Sequence, residues 1–155
     1  MAGAKWFVYW SEYASDTYLY GSEIVFHKKD DVEFTNLLMP PGTVIKQWYS
    51  KTNFQMQKIE PTLPMIDGES RYRIIINADV LDGEICLGRL VFYDRYEMEA
   101  GNMILRDKVT EFRCPLKTYS YRLQLINGGV TKLHFHSIEI QELTDGTEED
   151  LKEIE

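Results

Sequence analysis

The sequence is short of most things that mark an enzyme or a secreted protein. Its 155 residues include two cysteines and three histidines, and neither cysteine stands in a Cys-x-x-Cys pair. Cys86 and Cys114 both lie in strand-like patterns, which favours two buried thiols in a reducing compartment over a disulfide. There is no Gly-x-Ser-x-Gly elbow, no glycine-rich phosphate loop and no Asn-x-Ser/Thr acceptor. The apolar run near the N-terminus, Trp6 to Trp10, is too short for a signal peptide or a membrane span. A run of basic residues is also absent, which disfavours nucleic acid as a partner. The expectation is a cytoplasmic, non-catalytic chain with no cofactor and no metal.

What is present is aromatic and acidic. Ten Tyr, seven Phe and three Trp favour strands over helices. The net charge of −8 is concentrated at one end, because Glu142 to Glu155 holds seven acidic residues and one lysine. A domain spanning 1–142 is therefore nearly neutral and is followed by an acidic tail at 143–155.

Alternating apolar positions predict strands at 72–80, 85–93, 119–125 and 133–140. Earlier strands are expected at 6–10, 18–26 and 31–35, with weaker ones near 43–49 and 109–114. Asn127-Gly128-Gly129, Asp67-Gly68 and Asp82-Gly83 read as tight turns, because glycine supplies the positive φ that hairpins need. Short helical pieces are expected at 94–100 or in the tail. About eight short strands with frequent turn signals describe an all-β protein, a β-sandwich or jelly roll.

Four of the five prolines fall between Pro40 and Pro64, interleaved with Ile45, Trp48, Tyr49, Phe54 and Ile59. Proline stops helices and central strands, yet this is not linker composition, so the segment is expected to be ordered. Exposed aromatic rings can stack on sugars or anchor a protein interface. The candidate binding residues are therefore Pro40, Pro41, Trp48, Tyr49 and Phe54, together with Tyr93, Arg95 and Tyr96. Against each stands the expectation that most aromatics fill the core.

His134-Phe135-His136 would place two imidazoles on one strand face, which is a chelating geometry. Gly128 stands six positions before His134, echoing half of the cupin motif, but no suitably spaced glutamate or third histidine follows. Asp79, Asp82, Glu84 and Asp94 could be gathered by hairpin turns, but solvated turn positions are the plainer reading.

The stretches Leu38-Met39-Pro40-Pro41-Gly42-Thr43, Trp48, Thr52-Asn53-Phe54-Gln55 and Ile59-Glu60-Pro61-Thr62-Leu63-Pro64 resemble a known signature. Tyr18-Leu19-Tyr20-Gly21-Ser22 and Leu125-Ile126-Asn127-Gly128-Gly129 through Leu133-His134-Phe135-His136-Ser137-Ile138-Glu139-Ile140 resemble it as well. It is that of the smallest, third Asp-type component of the accessory Sec system, which exports serine-rich-repeat glycoprotein adhesins. The resemblance covers about residues 10 to 142. It implies a sandwich like that of carbohydrate-binding modules and a non-catalytic cytoplasmic subunit. It also implies partners: accessory subunits of glycosyltransferase fold and hydrolase fold, the accessory motor ATPase, and the glycosylated adhesin as a further candidate. The membrane would be reached only peripherally, at its inner face, through the complex. The alternatives are a stand-alone glycan-binding module and, more remotely, a metal enzyme built on His134 and His136.

Overall fold

Residues 2–10, 17–50 and 63–143 are described by the computed structural model of the chain. They form eight strands: β1 (Ala2–Val8), β2 (Glu23–Lys28), β3 (Asp31–Thr35), β4 (Val44–Tyr49), β5 (Arg71–Tyr93), β6 (Glu99–Leu105), β7 (Val109–Arg113) and β8 (Ser120–Leu143). The all-β expectation holds. Two strands are far longer than expected, however, and organise the rest. β5 and β8 pair antiparallel from Arg71↔Leu143 to Tyr93↔Ser120. The free side of β8 is taken in turn by β4, β3 and β1. The free side of β5 is taken by β7 and β6, and β2 continues outward from β3.

This ladder folds over on itself midway. Register shifts cluster between Asn77 and Ile85 on β5, opposite Phe135 to Gly128 on β8. Gly83 (φ 96°) and Gly129 (φ 117°) adopt backbone conformations that side-chain-bearing residues resist. A Cβ on Gly83 would lie 2.4 Å from the Gly129 carbonyl oxygen, and one on Gly128 would lie 2.7 Å from Ile85 Cγ1. The expected turns at 82–83 and 127–129 are therefore bulged bends inside continuous strands. Glycine's positive φ serves a sheet corner as readily as a hairpin.

The bulges also keep the core face in phase. Buried positions on β8 run Tyr121, Leu123, Leu125, then Val130, then Leu133 and Phe135, then Ile138 and Ile140. His136 is skipped in the pairing between Asn77↔Ser137 and Ala78↔Phe135, and the buried parity changes there. Without that re-phasing, a strand of 24 residues would turn its apolar set outward.

The folded halves enclose one aromatic-rich core. Phe112 of β7 meets Tyr72 and Phe92 of β5 at ring separations of 5.8 Å each, and Phe92 meets Tyr121 at 6.3 Å. Farther along, Trp48 stacks on Phe135 (5.4 Å) while Trp10 packs against Phe34, Trp48 and Phe135. The result is sandwich-like, made from a single hydrogen-bonded sheet bent over its own face.

Smaller expectations change as well. The region 94–100 is a turn leading into β6, not a helix, and the strand expected at 18–26 starts only at Glu23. β8 continues through Leu143, whose side chain is buried, and the tail that follows lies outside the described residues. Neither cysteine is disulfide-bonded; Cys114 is buried and Cys86 partly so. Burial pushes the Cys86 thiol up to about 12 and also raises Cys114.

Candidate functional site

Two of the predicted binding aromatics are withdrawn from the surface. Trp48 is 1% exposed and donates its indole N–H to the Tyr9 carbonyl (3.0 Å). Tyr49 is also buried, with the Arg122 guanidinium 5.1 Å from its ring and equally far from the ring of Tyr93. The two rings lie on opposite faces of β4, Trp48 in the core and Tyr49 beneath Arg122, so the proline-bounded segment uses both for packing. Tyr93 is half-buried in the same cation–π arrangement, and Phe54 lies outside the described residues.

Pro40 and Pro41 are exposed, at the bent end of the sandwich, in a loop that is hydrogen-bonded at several points. Asn127 donates Nδ2 to the carbonyls of Met39 (3.3 Å) and Pro40 (3.0 Å). Backbone bonds join Gly42 N–H to the Asn127 carbonyl (2.9 Å) and Asn127 N–H to the Thr43 carbonyl (2.8 Å). Thr43 Oγ1 donates to the Pro40 carbonyl at 2.6 Å. A second buried asparagine holds the neighbouring loop. Asn36, 2% exposed, donates Nδ2 to the Tyr20 carbonyl and to Ser22 Oγ, both at 2.9 Å, and accepts from Leu38 N–H through Oδ1 at 2.9 Å.

The outcome is that four large side chains are held in water: Leu19 (67% exposed), Tyr20 (81%), Leu37 (72%) and Leu38 (80%). Sequence reasoning missed all four as binding residues. The signal was the pair Leu37-Leu38 directly before Met39-Pro40-Pro41, since the following prolines prevent a strand from turning alternate residues inward. An asparagine whose amide is buried costs stability unless all its bonds are made, and here it ties two loops together.

At the opposite end lie the Asp67–Ser70 turn, the Tyr93–Met98 turn and the crossing from Cys114 to Tyr119. These are joined by Cys114 N–H to the Ser70 carbonyl (2.9 Å) and Tyr119 N–H to the Tyr93 carbonyl (2.7 Å). Between the second turn and the crossing is an open concavity of about 400 Å³, bordered by Asp94, Arg95, Tyr96, Leu116, Lys117 and Tyr119. The structure thus brings Arg95 and Tyr96 to a concave surface, beside residues the sequence had not singled out. Asp94 is occupied in the turn: Oδ1 accepts from the N–H groups of Tyr96 (2.8 Å) and Met98 (3.0 Å).

All three histidines gather on one face across β2, β3 and β8, each beside a carboxylate. His27 faces Glu33 (3.4 Å), His134 faces Asp31, and His136 faces Asp79 (3.4 Å) while also bonding to the Asp30 carbonyl (2.8 Å). Lys132 bridges to Glu33 at 3.0 Å. The hydrogen bonds from Lys132 and His27 hold the Glu33 carboxyl below its usual value. Among the described residues no group of three or more His, Cys, Asp or Glu is arranged to hold a metal ion. Asp79, Asp82 and Asp94 are not brought together as a carboxylate cluster. They face His136, Thr131 and the 96–98 backbone respectively. Among the same residues no helix is long and apolar enough to cross a membrane, which says nothing of barrels.

Comparison with known proteins gives a consistent answer. Residues 17–142 match the family described as the accessory Sec secretory system ASP3. The accessory Sec system protein ASP3 of Streptococcus gordonii is 36% identical over 129 residues, covering 83% of this chain and 81% of that protein. Among solved structures, a chain of the glycosylation-associated protein (Gap123) complex from Streptococcus agalactiae superposes with a TM-score of 0.83 at 30% identity. That match covers 92% of this chain but only 46% of the other, so this chain spans about half its length. A chain in the accessory secretory protein 1, 2 and 3 structure from Streptococcus pneumoniae gives a TM-score of 0.82 at 27% identity, covering 88% and 95%.

Proposed function

Because the chain belongs to the ASP3 family of the accessory Sec secretory system, we propose that it serves as a non-catalytic subunit of a heteromeric export complex. The family is one of accessory secretion components, not of enzymes. The solved relatives come from assemblies of three such proteins, and this chain is taken to join an equivalent assembly. The partners in this reading are accessory subunits of glycosyltransferase fold and hydrolase fold. Through them the chain reaches the motor ATPase at the inner face of the membrane, from the cytoplasmic side. The glycosylated serine-rich adhesin is the client.

The observation that carries the reading is the pinned apolar surface at the bent end. Exposed leucines on a loop pinned by several hydrogen bonds cost little backbone entropy on binding, which favours a strong interface anchor. Large apolar side chains exposed together on neighbouring loops ordinarily mark a docking site. Leu19, Tyr20, Leu37 and Leu38 supply the anchors, and Pro40 and Pro41 stiffen the rim.

The test is co-expression with the two partner subunits and quantitative co-purification. The double variant L37S/L38S should lose partner capture by about tenfold or more, the loss expected for removing two anchor side chains. Its Tm should stay close to that of the parent, since both side chains are already in solvent. Undiminished capture, or a parallel collapse of Tm, would refute this surface as the dock.

A further inference from the structure

Strand β2 ends the sheet, and the edge it leaves open carries apolar side chains. Among the described residues its only strand neighbour is β3. Every residue of Glu23–Lys28 is exposed except Ile24, which is partly buried against the core. Ile24 pairs with Phe34 and Phe26 with Val32, so both lie on the core face of the sheet. Phe34 and Val32 are fully buried, yet Phe26 is 38% exposed, so the core face continues one strand beyond its cover. Val25 is 39% exposed on the other face. Open edges are ordinarily blunted by proline, lysine or bulges. Here those guards stand at one end only: a register shift falls between Phe26 and Lys28, and the stretch 23–26 carries none.

We propose that this edge receives an extended segment of a partner subunit as an added strand, hydrogen-bonded along 23–26 with apolar side chains beside Ile24 and Phe26. The inference rests on the export-subunit reading and deepens it by naming how the partner is held. An edge strand presents a row of N–H and C=O groups that another strand's backbone matches best. Alternate residues of the added strand fall on the core side, which calls for apolar residues at every second position. Glu23 and Lys28, at opposite ends of β2, favour a basic and an acidic residue beside them respectively. The edge is also continuous with the apolar loops at the bent end. Glu23 follows Ser22 and pairs with Thr35, and Asn36 beyond it holds the Tyr20 carbonyl and the Leu38 N–H. One partner can therefore seat on Leu19, Tyr20, Leu37 and Leu38 and run a strand along β2. A second copy of this chain fits less well. Antiparallel pairing of β2 with itself would set each copy's apolar loops against the charged turn Lys28-Lys29-Asp30-Asp31 of the other.

The experiment is amide hydrogen exchange, read residue by residue, on the full chain alone and in the complex co-expressed with the two partner subunits. The expected result is that alternate amides within 23–26 slow by about tenfold or more on assembly. Slowing confined to 19–20 and 36–38 would mean side-chain docking without an added strand, and would overturn the proposal. Protection already present in the chain alone, and growing with its concentration, would assign the edge to a second copy and overturn it too. V25P and F26P supply a second readout. Successive N–H groups of a strand point to opposite edges, so one of the two prolines removes a bond to β3 and the other a group on the open edge. The edge-facing variant should stay folded, by its Tm, and lose most partner capture. Parental capture by that folded variant would count against an added strand, and if neither variant folds the exchange result decides. A complex that forms with β2 unprotected defeats this inference alone. Failure of any complex to form defeats the export-subunit reading and takes this inference with it.

Discussion

Trp48 is the residue at which chemistry and position pull apart. An indole beside prolines suggests a binding platform, yet β4 pairs with β8 at Trp48↔Leu123, and Leu123 faces the core. Its ring packs against Phe135 and Trp10, and its only polar side-chain atom bonds to the Tyr9 carbonyl. Trp48→Ala is therefore expected to destabilise the fold by about 3–5 kcal/mol, the usual range for emptying a large aromatic site. Partner capture should fall in proportion to the unfolded fraction and no further; chemical denaturation alongside co-purification measures both. Glu33 offers a residue-scale test of the histidine face. Its folded pKa is lowered below 4.5 by Lys132 and His27, so its charge stabilises the fold above that value and the contribution disappears as pH falls through the folded pKa. The parent should lose Tm more steeply than E33Q below about pH 4.5. Superimposable Tm-versus-pH curves would refute the role. Because the carboxylate is partly exposed, the difference should shrink in high salt.

At the scale of elements, the long paired strands β5 and β8 set everything else in place. Each is a line of strand-forming residues interrupted by glycine, and the same glycines would serve equally well in a hairpin. What decides between the two is pairing at a distance. Asp82 through Ile85 find partners at Lys132 through Gly128, so the chain continues along the ladder where a local turn would reverse it. Two glycine substitutions separate conformational strain from crowding. Gly42→Ala meets nothing within 4 Å and incurs only the positive-φ penalty, about 1 kcal/mol. Gly83→Ala has a similar φ but drives a methyl group into the Gly129 carbonyl, which is backbone and cannot swing aside. It should cost several times as much, at least about 3 kcal/mol, or prevent folding. Equal Tm losses for the two variants would mean that the bend tolerates a wider gap than its geometry implies.

For the whole molecule, the fold-over puts two different surfaces at opposite ends. The bent end carries apolar side chains on loops tied by Asn36 and Asn127, and the other end carries the tyrosine-lined concavity. Along β8 the stretch from Ser120 to Asn127 separates them by roughly 24 Å at the usual rise of about 3.4 Å per residue. Variants at the two ends should therefore behave independently: L37S/L38S is expected to lose partner capture, and Y96A, at the opposite end, to keep it, as read by co-purification.

The all-β class, most strand positions and the family itself follow from the sequence alone, because alternation, aromatic content and a specific run such as Leu38 to Thr43 are local properties. Arg95 and Tyr96 were picked out by residue type alone, on a segment expected to be helical that the structure makes a turn. The burial of Trp48 and Tyr49, the bends at Gly83 and Gly128, and the exposure of Leu19, Tyr20, Leu37 and Leu38 were decided by tertiary structure. Each depends on a partner far along the chain, such as Trp48 on Phe135, Gly83 on Gly129 and Tyr20 on Asn36. Periodicity shows that a strand has two faces; only the packing of distant strands shows which face meets water.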